Sequence, residues 1–354
     1  MSLLTEQIGS IPRPAELIDA FAANSAGTLS SDELAAVADR ALRDTITRLE
    51  ATGSPVVSDG EQTKSSFATY PLDGSDQVAA DGITLPFADG HTRQLPRLVS
   101  GPFRYAVRAD SYLRAAQRYA NVPVKQAVIA PSALSLLYPE AGIPGYTREE
   151  FLSDLLDEAE ADVRQCLDAG AHSVQIDFTE GRLSVKLDPS KGLLHSFVDL
   201  NNQLLERFSE EERARIGLHT CPGGDLDSTH SLDVDYAELL PDLFRIKAGR
   251  VYIQLASEAD PRRVLEIAGQ HLRPEQKLFV GVVDPIDPKV ETPETVRDRV
   301  LLAAEFIAPE QLGTCDDCGF SPFADDASTS REVAFAKIAA RVEGTALAAQ
   351  QLGI

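Results

Sequence analysis

A single-domain (β/α)₈ barrel is the fold this sequence predicts, and three observations predict it. Short β-type apolar runs alternate with helical patterns of period 3.6, eight such runs can be counted, and polar residues stand directly after most of them. In such a barrel the active site lies at the carboxyl ends of the strands. A doubly wound open sheet is the alternative arrangement of the same alternation.

The runs that read as buried parallel strands are Glu6 to Ser10, Val56 to Asp59, Ala127 to Ala130, Ser173 to Phe178, Gly217 to Cys221, Val251 to Ala256, Leu278 to Val283 and Leu312 to Asp316. Between the first two, residues 31–52 place Leu34, Val37, Ala38, Ala41, Leu42, Ile46 and Leu49 on one helical face. A capping-box pair, Ser30 and Glu33, precedes that helix and Gly53 closes it. Residues 148–169 repeat the design, with Thr147 and Glu150 in front and Gly170 behind. Thr292-Pro293 opens a further helix, since proline at the first helical position gives up no hydrogen bond. Weaker helical patterns cover 193–208, 235–245, 260–271 and 328–347. The stretch at about 71–108, with several Gly and Pro, reads as an insertion, either a lid over the barrel mouth or a surface hairpin with no part in catalysis.

At 354 residues the chain is long enough for one large barrel or two ordinary domains, and no linker or shift of composition divides it, so one domain over 1–354 is expected. Hydrophobic residues at 43% and charged residues at 25% are globular values, and no apolar run approaches the roughly 20 residues needed to span a bilayer. The N-terminal residues lack the basic and apolar segments of a secretory signal, so a cytoplasmic enzyme is expected. A net charge of −22, with no basic patch to oppose it, argues against nucleic acid and anionic membranes as partners. Four cysteines, unevenly placed, are too few for a secreted disulfide framework and read as ligands or core.

Polar residues follow the runs at Ser10, Asp59-Gly60-Glu61, Asp177, His219-Thr220-Cys221, Gln254 and Glu258, Asp284, and Cys315-Asp316-Asp317-Cys318. Turns and helix caps also favour such residues, so types matter more than placement. His219 and Cys221 are two apart on a strand and face the same way, and Cys318 follows the last strand at the same end. One imidazole and two thiolates suit zinc, and three protein ligands leave a position for substrate. The competing reading is a core histidine beside a small buried cysteine. Cys315-x-x-Cys318 lacks both the thioredoxin-like setting of a redox pair and the second pair of a structural zinc site. Cys166 falls on the apolar side of its helix and reads as core.

The motifs Ile8-Gly9-Ser10, Pro12-Arg13-Pro14, Asp59-Gly60-Glu61, Gln175-Ile176-Asp177, His219-Thr220-Cys221, Gly281-Val282-Val283-Asp284 and Asp317-Cys318-Gly319, in that order, resemble the catalytic domain of the cobalamin-independent methionine synthase family, whose relatives include the epoxyalkane:coenzyme M transferases. The resemblance runs over nearly the whole chain. It implies a zinc-bearing (β/α)₈ barrel that transfers an alkyl group to a thiol, with His219, Cys221 and Cys318 as zinc ligands. Where that family has a glutamate ligand this chain has Gln254, which leaves Gln254, Glu258 and Cys315 as choices for the fourth position. Ser10, Glu61 and Asp177 match positions that hold the amino and carboxylate groups of homocysteine, and Phe178 replaces the acid that follows Asp177. The alkyl donor implied is a methyl-folate or another electrophile.

The expected chemistry is methyl transfer to homocysteine, giving methionine. Zinc deprotonates the thiol, the thiolate attacks the alkyl carbon, and Asp284 or Asp177 protonates the leaving group. Alternatives are epoxide ring opening by the same thiolate, a non-catalytic zinc-binding barrel, and a metal-free lyase or decarboxylase.

Overall fold

The computed structural model describes residues 3–354 and shows a curled parallel sheet ringed by helices, as expected of a (β/α)₈ barrel. Its strands are β1 (Leu4–Thr5), β2 (Gln126–Ile129), β3 (Val174–Asp177), β4 (Ile216–Thr220), β5 (Arg250–Ile253), β6 (Lys277–Gly281) and β7 (Leu312–Cys315). They lie in the order β1-β7-β6-β5-β4-β3-β2, all parallel. The run expected at Val56 to Asp59 fills the remaining gap without becoming a regular strand. Val57 makes a single parallel bridge to Val124, and its backbone exchanges hydrogen bonds with Pro123 and Lys125 (3.0 and 2.8 Å). On the other side Ser58 Oγ donates to the Gly9 carbonyl (2.9 Å) and the Ile11 amide to the Gly60 carbonyl (3.0 Å). Pro55 brings no N–H, and Gly60 and Glu61 both turn to positive φ, so the ladder has no room to extend. The first strand falls before the expected run: regular pairing covers Leu4–Thr5, none of Glu6 to Ser10 is regular strand, and the Ile8 amide bonds instead to the Asp316 carboxylate (3.2 Å).

Helices Ser31–Ala51 and Arg148–Asp168 begin with both halves of the capping boxes in place, Ser30 with Glu33 and Thr147 with Glu150. Helices also form at Gly192–Leu205, Pro261–His271, Pro293–Ala304 and Arg331–Leu352. The pattern at 235–245 makes only a 3₁₀ turn and one short turn of helix, because Pro241 sits inside it. Helices Ala15–Ser25, Asp110–Gln117 and Glu180–Leu187 were not expected. No helix among the described residues is long and apolar enough to cross a membrane.

The barrel interior is layered. At the amino ends of the strands the Glu6 carboxylate meets Arg250 (2.5 Å), Tyr252 Oη (2.7 Å), His172 (3.3 Å) and Lys125 (3.5 Å). Above it Ile8, Tyr252, Phe279 and Cys315 form a dry plug, with the Tyr252 and Phe279 rings stacked at 4.5 Å. Gly217 and Gly313 make room for those rings: a Cβ at either would lie 2.5 or 2.6 Å from them. The plug leaves only the carboxyl end of the barrel for chemistry. Residues 71–108 lie between the second and third barrel positions and carry two small antiparallel ladders, Val78–Ala79 with Arg97–Leu98 and Thr84–Pro86 with Thr92–Gln94.

Candidate active site

Strand register sets the first contacts. Asp177 is directly opposite His219, and Ile253 opposite Thr220, which carries Gln254 to the level of Cys221 on the neighbouring stave. His219 Nδ1 lies 3.0 Å from Asp177 Oδ1, which also accepts from Gln175 Nε2 (2.7 Å). In the neutral ring, Nδ1–H directed at a carboxylate leaves the lone pair on Nε2, and that atom is buried without a partner among the described residues. Cys318 arrives from the loop after β7. The preceding Asp317 fixes that loop by accepting the amides of Leu255, Ala256 and Ser257 (2.7–2.8 Å) and the Ser257 hydroxyl (2.6 Å). Gly281 makes this possible, since a Cβ there would sit 1.9 Å from Asp317 Oδ1.

His219, Cys221 and Cys318 thereby bring one ligand atom each to within 4.8 Å of one another, and the two sulfurs are 2.8 Å apart. The contact with Cys221, then burial, raises the Cys318 thiol well above the ordinary cysteine range, as expected where two sulfurs cannot both ionise unaided. Burial acts to lower the His219 imidazolium, but Asp177 and then Cys318 outweigh it, and its pKa is pushed up to about 9. An orphaned imidazole nitrogen and paired thiols are the donor set of a zinc site. The group fits a metal.

The three choices for a fourth ligand separate. Cys315 is in the plug below, its thiol directed at the Phe279 carbonyl (3.6 Å), and does not join the cluster. Glu258 is engaged by Arg182 (2.6 Å) and by Gln254 Nε2 (2.7 Å). That bond turns the Gln254 carbonyl oxygen the other way, and this atom is buried with no partner among the described residues. Gln254 and Cys318 line one side of a common cavity of about 110 Å³.

On the other side of Cys318 a recess of about 30 Å³ is lined by Ser10, Glu61, Asp177, His219 and Gly319. Glu61 reaches it from a residue at φ 54°, a strained conformation outside glycine, next to Gly60 at 62°. Lys64 Nζ bonds Glu61 Oε1 (3.1 Å) and the Ala127 carbonyl (2.9 Å) from a fully buried position. Burial acts to lower the Lys64 ammonium, but Glu61 first, then Asp59 and Asp177, raise it above the ordinary lysine value, so the amine is charged. Phe178 is buried in the core and takes no part in the recess. Asp284 is in the 110 Å³ cavity, away from Asp177, its carboxyl raised by burial.

Sequence reasoning missed two features. Lys64 is one, and the other is a larger cavity of about 360 Å³ that adjoins the recess through Phe67, Thr179, Gly223 and Gly224. The hairpin at 84–94 closes over it. Ala88 N bonds the Thr229 carbonyl (3.0 Å), Arg93 binds Asp225 (2.5 Å) and Asp325 (2.9 Å), and the Phe87 ring meets His230 edge-on at 5.5 Å. Glu180 is in the wall of the same cavity.

The family model for the cobalamin-independent synthase catalytic domain matches residues 3–341. The methionine synthase of Saccharolobus solfataricus is 23% identical over 99% of this chain and 96% of its own length. That of Sulfurisphaera tokodaii is 21% identical, over 99% and 94%. Among solved structures, a B12-independent methionine synthase from Shewanella sp. W3-18-1 in complex with selenomethionine superposes with TM-score 0.78 at 20% identity, covering 99% of both chains. A putative vitamin-B12-independent methionine synthase from Listeria monocytogenes gives 0.68 at 20%, covering 97% of both. At such identity the structures speak for the fold alone.

Proposed function

The chain belongs to the cobalamin-independent methionine synthase catalytic-domain family, and from that premise we propose that it transfers a methyl group to the thiol of homocysteine at a zinc ion held by His219, Cys221 and Cys318. The observation that carries the proposal is the cluster itself: an orphaned imidazole nitrogen and two thiols converging beside a recess lined with carboxylates. Gln254, whose carbonyl oxygen has no partner among the described residues, would complete the set only where no thiol is bound. A neutral amide in place of a carboxylate leaves the ion more electropositive.

Zinc, when bound, keeps the substrate thiol deprotonated at neutral pH, where a free thiol of pKa about 8.5 is only a few per cent thiolate. The protein does the rest. Asp177 fixes the His219 ring and, with Glu61, offers carboxyl oxygens to the amino group of the substrate, while Ser10 lines the same recess. Lys64 holds the Glu61 carboxylate in one orientation. Asp284, which lines the same cavity as Cys318, supplies a proton to the departing group, since Asp177 is taken up by His219 and Gln175.

Purified protein assayed with homocysteine and a methyl-folate should form methionine and retain about one zinc per chain, as a three- or four-ligand protein site implies. His219→Ala, Cys221→Ala and Cys318→Ala should each lose metal and turnover together. Full activity in any of the three removes that residue from the site.

A further inference from the structure

We propose that Glu258, held by Arg182, is a positioning residue of the metal centre: it turns the Gln254 amide so that its carbonyl oxygen faces the ion until the substrate thiol displaces it. The proposal rests on the reading of His219, Cys221 and Cys318 as zinc ligands and adds to it how the exchangeable position is filled and released.

A glutamine amide fits its surroundings in two orientations, and what faces it decides between them. Gln254 is fully buried, and its Nε2 donates to Glu258 Oε1 (2.7 Å). The same oxygen accepts Arg182 Nη1 (2.6 Å). Arg182 is itself buried, donates to the Leu232 and Val234 carbonyls, and lies over the Tyr236 ring at 4.6 Å. An arginine has donors only and keeps its charge, so Glu258 faces Gln254 as its counter-ion, a carboxylate that only accepts. Gln254 can meet that carboxylate with N–H alone, which sends Oε1 to the other side.

Oε1 is buried with no partner among the described residues, a rare condition for a buried acceptor. Gln254 follows Ile253, which pairs with Thr220, so it stands beside Cys221, and with Cys318 it lines the 110 Å³ cavity. An ion held by those two sulfurs is the partner this oxygen lacks. Glu258 is tied to the same ligands through the backbone. Asp317, the residue before Cys318, accepts the amides of Leu255, Ala256 and Ser257, and Glu258 N bonds the Leu255 carbonyl (3.2 Å). One turn therefore sets both Cys318 and Glu258.

Charge gives the arrangement its use. Two thiolates, a neutral imidazole and a neutral amide balance the charge of a zinc ion, whereas a carboxylate in place of the amide would leave the centre negative. An incoming thiolate then displaces a neutral oxygen from a neutral centre. The carboxylate stands one side chain further out, as Glu258, and Arg182 cancels it there.

Zinc affinity of the full chain, measured by chelator competition with and without homocysteine, tests the assignment. In Glu258→Gln the carboxylate is gone, Arg182 claims the oxygen of the new amide, and the N–H of that amide is free to draw the Gln254 carbonyl oxygen away from the ion. Without homocysteine the affinity should fall about 10- to 100-fold, and with saturating homocysteine it should match the unaltered protein within about threefold, because the position then belongs to sulfur. The reciprocal double variant, Gln254→Glu with Glu258→Gln, again sets a donor against an acceptor and should recover the thiol-free affinity. Equal losses with and without homocysteine would mark a purely structural role and overturn the proposal, as would no loss at all or no recovery in the double variant. A second readout is the visible spectrum of the cobalt-substituted protein. Glu258→Gln should differ from the unaltered protein before homocysteine is added and coincide with it afterwards; identical spectra before addition also overturn the proposal. An unaltered protein that holds no zinc fails the metal reading itself and takes the proposal with it. If zinc is held but homocysteine leaves its affinity unchanged, the thiol reading fails alone, and the double variant still decides the role of Glu258.

Discussion

Asp177 serves two groups with one carboxylate. It fixes the His219 ring through Nδ1 and lines the recess where an amino group would be received. Asp177→Asn retains an acceptor for Nδ1–H but removes the charge, and zinc affinity should fall about 10- to 100-fold, as measured by competition with a chelator. Unchanged affinity would show that the ring is oriented without the carboxylate. At this scale much of the site was legible in the sequence. His219-x-Cys221 is a same-face pair on a strand, and Cys318 follows the last strand, so residue type and spacing together predicted a cluster. Lys64 and Glu180 were not legible. Glu180 opens a helix, where an acidic residue ordinarily serves the helix dipole, and only the fold reveals that Ser132, Asn201 and the hairpin enclose it.

Among the elements, the long helices were the most readable, because the capping boxes of Ser30 and Thr147 and the apolar stripes agree with each other. The second barrel strand was the least, since Val56 to Asp59 is apolar enough to suggest a ladder but is bounded by Pro55 and by the positive-φ turn at Gly60 and Glu61. That turn has a use: it brings the Glu61 carboxylate into the recess. The hairpin at 84–94 could not be placed from sequence because its anchors, Asp225 and Asp325, are more than a hundred residues away. Arg93→Ala would leave Asp225 buried with only His91 for a side-chain partner among the described residues and loosen the cover of the large cavity. We expect the KM for the methyl donor to rise several-fold with zinc content unchanged. An unaltered KM would mean the hairpin does not shape the donor site.

Over the whole molecule, the barrel closes around a polar base and a dry plug that point all chemistry to one end. The base depends on Glu6. Burial acts to raise its carboxyl, but His172, Lys125, Arg250 and Tyr252 together outweigh it and hold it well below the usual range. A carboxyl lowered on folding stabilises the fold above its unfolded pKa of about 4.3, and that contribution is lost as pH falls below it. Glu6→Gln leaves Arg250 and Lys125 buried without their counter-ion, and should cost about 3–5 kcal/mol at neutral pH in urea unfolding. It should also flatten the acid limb of the stability curve; an unchanged limb would place the acid sensitivity elsewhere. None of this network was legible locally, since its members come from the residue after β1, from β5 and from the approaches to β2 and β3, adjacent only once the barrel has closed.

The central claim, that His219, Cys221 and Cys318 hold a zinc ion to which the substrate thiol comes, is tested most directly by X-ray absorption at the zinc edge of purified protein with and without homocysteine. The account predicts stoichiometric zinc with two sulfur neighbours, from Cys221 and Cys318, and a third sulfur when homocysteine is added. Absence of zinc, or a sulfur count that homocysteine leaves unchanged, would contradict it.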